Sequence, residues 1–296
     1  MNQHEQVKGA LALKIDSLPN LPTTAAWLLQ LLRDPDSDVR EIEKAIRYAP
    51  DLTADVLRMA NSAYFGYAGK IGSVRQAVVR LGWQRVFQVV LASRLKGVMA
   101  HSVPGYDLVT GELWRHAVAV SVAAERLGSE LGLRVPEETF TAAILHDVGK
   151  IVIGSLIRAD LSEIEVAVKS GLSFEEAERR VLGFDHAEAG AEALGGWHLP
   201  TSLVEAVRWH HAPDAFPGAS TMVDIIHVAD MLCLMLGIGV GREGLGYAPS
   251  SGATRRLGLR VETLEAVASR VPEGTEELLR VFGADSAGDH VDTGVL

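Results

Sequence analysis

Residues 70–93 read KIGSVRQAVVRLGWQRVFQVVLAS, and the spacing of Val74, Ala77, Val78 and Leu81 decides the fold class. Apolar side chains three and four positions apart line one face of an α-helix, whereas a half-buried strand would alternate every second residue. Upstream the same spacing recurs in Ile42/Ile46 and in Leu52/Val56/Met59. Start and stop signals bracket these runs. Pro22-Thr23-Thr24 precedes AAWLLQLL, Asp34-Pro35-Asp36 follows it, and Pro50-Asp51 opens LTADVLRMA. Gly66 and Gly69 close that last segment and are expected in left-handed turns, without cradling phosphate. Asn61-Ser62 is expected to serve the helix end, and Tyr64, Phe65, Tyr67, Trp83 and Phe87 to fill a core. The expected class is all-α, with short helices joined by tight turns. An aromatic content of only 6% suits helix-on-helix packing better than a sandwich or barrel.

A chain of 296 residues, 48% hydrophobic, can bury a sizeable core, which excludes disordered, collagen-like and disulfide-scaffold classes. The segment HSVPGYDLVTG, residues 101–111, carries Pro104 and two glycines and lacks an amphipathic period, so the internal boundary is expected near residue 105. This divides the chain into an extension (1–13), a first helical lobe (14–105), a second helical lobe (106–236), additional helices (237–283) and a flexible tail (284–296). Second-lobe helices are expected around 112–131, 137–146, 174–182, 186–195, 200–210 and 221–236. Two more, near 261–271 and 274–282, are expected to pack onto that lobe, with no appended output domain.

Lys and Arg number 28 against 38 Asp and Glu, a formal net charge of 28 − 38 = −10, so the overall field opposes adsorption to nucleic acid or anionic lipid. Neither is an expected partner. The lone Cys233 excludes an intramolecular disulfide and suits a reducing cytosol. The amino-terminal residues lack a secretory pattern. The most apolar stretch, Ile225 to Val240, is short for a membrane span and contains His227 and Asp230. A cytoplasmic location is expected. No Walker, dinucleotide-fold or nucleophile-elbow pattern is present.

Seven of the ten histidines fall in the second lobe, and apart from His198 they are His116, His146, His186, His210 and His211, at expected helix starts, ends or turns, and His227, one turn before Asp230. With Asp147 and Asp230 they form a donor set suited to Mn, Fe, Co, Ni or Zn, and the excess of His over Cys argues against a zinc finger. If the helix containing ILHDVGK continues through Gly149, Lys150 shares a face with His146 and Asp147 and sets a phosphate-sized cation beside the ligands. Each residue also has a plainer reading. His210-His211 suits a helix C-terminus, His186 a first-turn position after Asp185, and Lys150 a solvated helix end. His198 reads as a turn residue, His227 as a hydrogen-bonded core histidine, and His4, His101 and His290 as terminal or loop residues.

The order His116, His146-Asp147, Asp230 resembles the HD superfamily of metal-dependent phosphohydrolases. LPNLPTTAAWLLQLL, ANSAYFG and KIGSVRQAVVRLGWQRVFQVVLAS narrow the resemblance to its HDOD subfamily, and LWRHAVAVSVAA, FTAAILHDVGK, FDHAEAGAEAL, LVEAVRWHHAP and IIHVADMLC continue it in order over roughly Lys14 to Leu236. The resemblance implies that the second lobe is an HD-type bundle in which His116, His146, Asp147 and Asp230 ligate metal. It further implies that Asp147 bridges if two ions bind, that His186, His210 and His211 complete the second site, and that Lys150 contacts substrate phosphate. Catalytic roles would fall to Asp147 and Lys150. The leading expectation is a regulatory signal-transduction module that binds a partner protein or a small phosphorylated ligand such as a nucleotide. The alternative is a phosphohydrolase, a phosphodiesterase or nucleotidase, using a metal-activated water. HHAPDAFPGAS lacks the Glu and Gly-Tyr-Pro that follow the His-His pair in cyclic di-GMP phosphodiesterases, so that activity is not expected.

Overall fold

The structure, a computed structural model, describes residues 49–65, 70–244 and 249–283, together with Gly9, Glu43 and Ile46. Residues 70–93 form α2 (Val74–Leu81) and the greater part of α3 (Trp83–Met99), split at Gly82. Before them, α1 (Pro50–Ala60) buries Leu52, Val56 and Met59 completely, as their spacing requires. Asn61 closes the following loop: its Nδ2 donates to Leu57 O (2.8 Å) and Ile71 O (2.9 Å), and its Oδ1 accepts from Ile71 N (2.7 Å). Phe87 is buried, and Trp83 and Tyr64 pack against the core. The AAWLLQLL segment, Ile42, Gly66, Tyr67, Gly69, the Phe65 side chain and the tail 284–296 lie outside the described residues.

The second lobe comprises α4 (Glu112–Glu130), α5 (Thr139–Leu145), α6 (Val148–Ala159), α7 (Leu161–Lys169), α8 (Phe174–Leu182), α9 (His186–Gly196), α10 (Thr201–Trp209) and α11 (Thr221–Met235). Three helices follow: α12 (Ser251–Arg256), α13 (Val261–Ala268) and α14 (Val271–Val281). The central helix is α4, which packs against α5, α11, α13 and α14, while α9 lies against both α6 and α10. Among the described residues there is no strand, only an isolated bridge between Val103 and Leu108, and no helix is long and apolar enough to cross a membrane.

Two features differ from the sequence reading. The helix entering ILHDVGK does not continue through Gly149; it breaks at His146-Asp147, and α6 starts afresh at Val148. The body of α6 beyond Lys150, α7 and α12 arise where no helix is expected. Within the segment 101–111, Pro104–Tyr106 forms a 3-10 turn that buries Gly105 and Tyr106.

The two lobes share one continuous apolar core. Between them Gln88 Nε2 donates to Glu137 O (2.6 Å) and Tyr64 Oη to Glu125 (2.6 Å). The end of α14 also reaches the first lobe: Arg58 Nε donates to Val281 O (3.0 Å) and Lys96 Nζ to Phe282 O (2.8 Å), while the Phe282 ring meets Trp114 edge-on.

Helices α6 and α9 cross at glycines. A Cβ on Gly149 would lie 1.8 Å from His186 O and 2.6 Å from Gly190 N, both backbone atoms that cannot step aside. The substitution Gly149→Ala is therefore expected to force the helices apart and to destabilise the chain by about 3 kcal/mol or more, the upper end of overpacking costs. Urea denaturation measures it, and a midpoint equal to that of the unaltered chain would contradict the crossing.

Candidate metal centre

Four histidines of the cluster, His116, His146, His186 and His210, are held by Nδ1, which turns Nε2 inward. His146 and His210 cap the ends of α5 and α10, and their Nδ1 atoms meet the carbonyls of Ala143 (2.7 Å) and Val207 (2.6 Å). Last-turn carbonyls lack intrahelical donors, so an imidazole N–H satisfies them and is oriented by them. One turn into α4, His116 places Nδ1 2.9 Å from Ile238 O. His186, the first residue of α9, places Nδ1 2.8 Å from Glu178 Oε2, while Asp185 caps that helix by accepting from Glu188 N. Asp230 projects from the middle of α11. The break between α5 and α6 leaves Asp147 with φ −100° and ψ 10°, outside the helix, so its carboxylate turns back toward His146.

The centre forms around that carboxylate. Oδ2 lies 3.5 Å from His116 Nε2 and 3.3 Å from His146 Nε2, and Oδ1 lies 3.4 Å from His186 Nε2 and 3.8 Å from His210 Nε2. Asp230 Oδ1 adds a second oxygen 3.1 Å from His116 Nε2, and Asp230 Oδ2 is 4.0 Å from His211 Nδ1. His211 Nε2 is 2.8 Å from His186 Nε2. These side chains are 0–4% exposed. All the sequence-predicted residues, His116, His146, Asp147, Lys150, His186, His210, His211 and Asp230, thus meet at one place.

The chemistry of the donors fits a cation. A carbonyl only accepts, so His116, His146 and His210 carry their proton on Nδ1 and present an Nε2 lone pair. A lone pair 3.1 Å from a carboxylate oxygen, as at His116 and Asp230, is repulsive unless a proton or cation lies between them. Nε2 of His116, His146 and His210 and Oδ1 of Asp147 are buried without a hydrogen-bond partner. Four sets among the described residues have mutual distances suited to an ion: His116, His146 and Asp147; Asp147, His186, His210 and His211; His146, His210 and Asp230; and Glu178, His186 and Glu243.

Lys150 is neither solvated nor on a helical face shared with His146. It is 2% exposed, with Nζ 2.7 Å from Asp147 Oδ2 and 2.8 Å from both oxygens of Glu243. Sequence reasoning missed Glu243, which lies in a glycine-rich run after α11, and Glu178, which lies in the charged helix FEEAERRVL. Glu178 accepts from Tyr106 Oη (2.6 Å) and from the backbone N of His186 (2.9 Å) as well as facing the imidazole. The need of a buried ammonium for a second counter-charge is the signal that could have found Glu243. His227, as its sequence setting suggests, is saturated: Nδ1 donates to His210 O (2.7 Å) and Nε2 accepts from Ser250 N (2.8 Å), leaving no lone pair for a metal. His198 is the expected turn residue, with φ 56°.

Burial opposes charge on His186, yet the Glu178 carboxylate outweighs it and raises the imidazole to about 10. At His210 burial wins, aided by His146, and the value falls to about 3. For Asp230 burial is outweighed by a proton held between its carboxylate and His116 Nε2 and by the charge of His146, which lower it to about 2. Burial raises the Glu243 carboxyl despite Lys150.

An all-α bundle enclosing a histidine–aspartate cluster of this order defines a helical protein of the HD kind. The HDOD domain family profile matches residues 18–213, and the chain belongs to that family. It is similar to a solved structure of a candidate phosphohydrolase from Shewanella amazonensis, at 26% identity and TM-score 0.68, covering 92% of this chain and 98% of that one. An HDOD domain protein of unknown function from Geobacter sulfurreducens shares the fold at 24% identity and TM-score 0.71, covering 93% and 99%. An uncharacterized protein of Treponema pallidum is 25% identical over 232 residues, and this chain spans 77% of its own length but 44% of that relative.

Opposite shifts at His186 and His210 set a pH optimum for the chelator-treated protein. Relative to an ordinary 6.5, the depressed His210 contributes stability above pH 6.5 that is lost as pH falls toward 3. The raised His186 contributes below pH 6.5, and that contribution is lost as pH rises toward 10. Urea midpoints of the stripped protein are expected to peak near pH 6.5 and fall on both sides; a steady rise across pH 6–9 would contradict the Glu178–His186 pairing.

Proposed function

We propose that this chain is a cytoplasmic, HDOD-type regulatory module of bacterial signal transduction, whose centre binds divalent metal and a small phosphorylated ligand such as a nucleotide, and which reports occupancy to a partner protein. The observation that supports this most is the division of Asp147: one carboxylate oxygen faces His116 and His146, the other His186 and His210. In this reading His116, His146, Asp147 and Asp230 hold one ion, and Asp147, His186, His210 and His211 hold a second drawn from Mn, Fe, Co, Ni or Zn. Bound divalent ions supply Lewis acidity toward a phosphoryl oxygen and acidify water.

The residues of the chain do the rest. Glu178, Ala143 O, Val207 O and Ile238 O fix the tautomers and aim of the imidazoles. Lys150 offsets oxyanion charge at the edge of the centre. A second reading, a metal-dependent phosphohydrolase, draws on the complete donor set standing beside Lys150 and on the likeness to the Shewanella amazonensis protein. Asp147 and Lys150 are then the catalytic residues. Cyclic di-GMP is a poor candidate substrate, since the chain continues from His210-His211 into Ala212-Pro213.

Freshly purified protein is expected to carry transition metal in proportion to chain, read by elemental analysis for Mn, Fe, Co, Ni and Zn; no stoichiometric metal even after reconstitution would remove both readings. Glu178→Gln, which weakens the grip on His186, is expected to lower metal affinity about 10–100-fold with the fold retained, as measured by competition with a chelator. Hydrolysis of bis(p-nitrophenyl) phosphate decides between the two readings. A hydrolase loses turnover in Asp147→Ala, whereas a sensor holds metal and shows none in either form.

A further inference from the structure

The metal donors lie beneath a strap formed by Gly237–Gly244, immediately after α11. Ile238 O receives the His116 Nδ1 bond, and a Cβ on Gly239, at φ 74°, would stand 2.6 Å from the His116 Cβ. Arg242 N donates to Tyr106 O at 2.8 Å. Between Gly237 and Gly244 the strap residues are exposed or half-buried, with one exception: Glu243 is 8% exposed and presses both oxygens to within 2.8 Å of Lys150 Nζ. A carboxylate thus occupies the face of the ammonium where a phosphoryl oxygen would bind. With the centre 0–4% exposed, no phosphate ester reaches it until its cover moves.

We propose that Glu243 is an internal stand-in for the oxyanion of the ligand, and that the strap Gly237–Gly244 is the lid which a phosphorylated ligand lifts by displacing Glu243 from Lys150. The inference rests on reading Lys150 as the phosphate-facing cation. A phosphate monoester carries roughly −1.5 to −2 charge and three acceptor oxygens, so it competes with a single carboxylate for one ammonium. Outside the centre the strap is held by the Arg242–Glu165 pair at 3.1 Å, an exposed contact that adds little. Lifting the strap also breaks the Arg242–Tyr106 bond. Tyr106 is a buried residue of the turn joining the lobes and the partner of Glu178, so ligand entry is transmitted to both the junction and His186. This gives the regulatory reading a moving part.

The test measures binding of inorganic phosphate to the full chain by titration calorimetry, and hydrogen exchange of the amides in 237–244. Glu243→Gln, which keeps the shape and removes the charge, is expected to bind phosphate at least about tenfold tighter, and phosphate is expected to speed strap exchange in the unaltered protein. Equal affinity in the two proteins, with binding abolished by Lys150→Gln, would leave the Lys150 reading standing and overturn the lid. Absence of phosphate binding in both removes the Lys150 reading and the lid with it. Should Glu243→Gln not fold, exchange in the unaltered chain decides alone: strap amides unmoved at saturating phosphate overturn the proposal.

Discussion

A buried carboxylate with five basic side chains around it governs this molecule. Asp147 cannot sit uncompensated in a helical core, because the cost of removing its charge from water exceeds any gain from packing. It is met on one side by His116 and His146, on the other by His186 and His210, and along Oδ2 by Lys150. To deliver those partners, five elements must be fixed within a few ångströms. The α5–α6 helix breaks so that Asp147 leaves the helical line, and α6 and α9 touch through Gly149 and Gly190 so that His186 can approach. Much of the second lobe is the set of backbone arrangements that satisfies this one group.

The imidazoles are aimed by a repeated local device. A helix that ends at a histidine leaves carbonyls without donors, and the side chain folds back to supply one. His146 and His210 both do this, three residues after the carbonyl they use. Where no helix end is at hand, tertiary partners take over: Ile238 O for His116 and Glu178 for His186. Because a donor at Nδ1 commits the neutral ring to offering its lone pair at Nε2, hydrogen bonding outside the centre decides the chemistry inside it.

The same contacts bind the centre to the rest of the chain. Tyr106 comes from the turn between the lobes, and Ile238 and Glu243 come from the strap beyond α11, so a site made of second-lobe residues is supported from both of its chain boundaries. The lobes themselves share a core, and α14 hydrogen-bonds to Arg58 and Lys96 of the first lobe. Tyr106, Glu178 and His186 thus form a run of side chains in direct contact between the junction and the centre.

Helical periodicity at Leu52, Val56, Met59, Val74 and Ala77 determined the class of fold, because burying one face of a helix needs nothing but local spacing. The gathering of His116, His146, Asp147, His186, His210, His211 and Asp230 was equally legible, since polar groups embedded in apolar helices demand partners. Glu178 and Glu243 were not. One lies in a helix whose charges look like an ordinary solvated face, the other in a glycine run that reads as a loop, and burial is a property of what packs above a residue. The break at Asp147 was hidden for a related reason: nothing in ILHDVGK forbids a continuous helix, and only the surrounding imidazoles and Lys150 repay the chain for leaving it. Residue identity thus settled which groups could meet a cation, and three-dimensional packing alone decided which carbonyl, carboxylate or ammonium stands beside each of them, because those neighbours come from helices and loops distant in the chain.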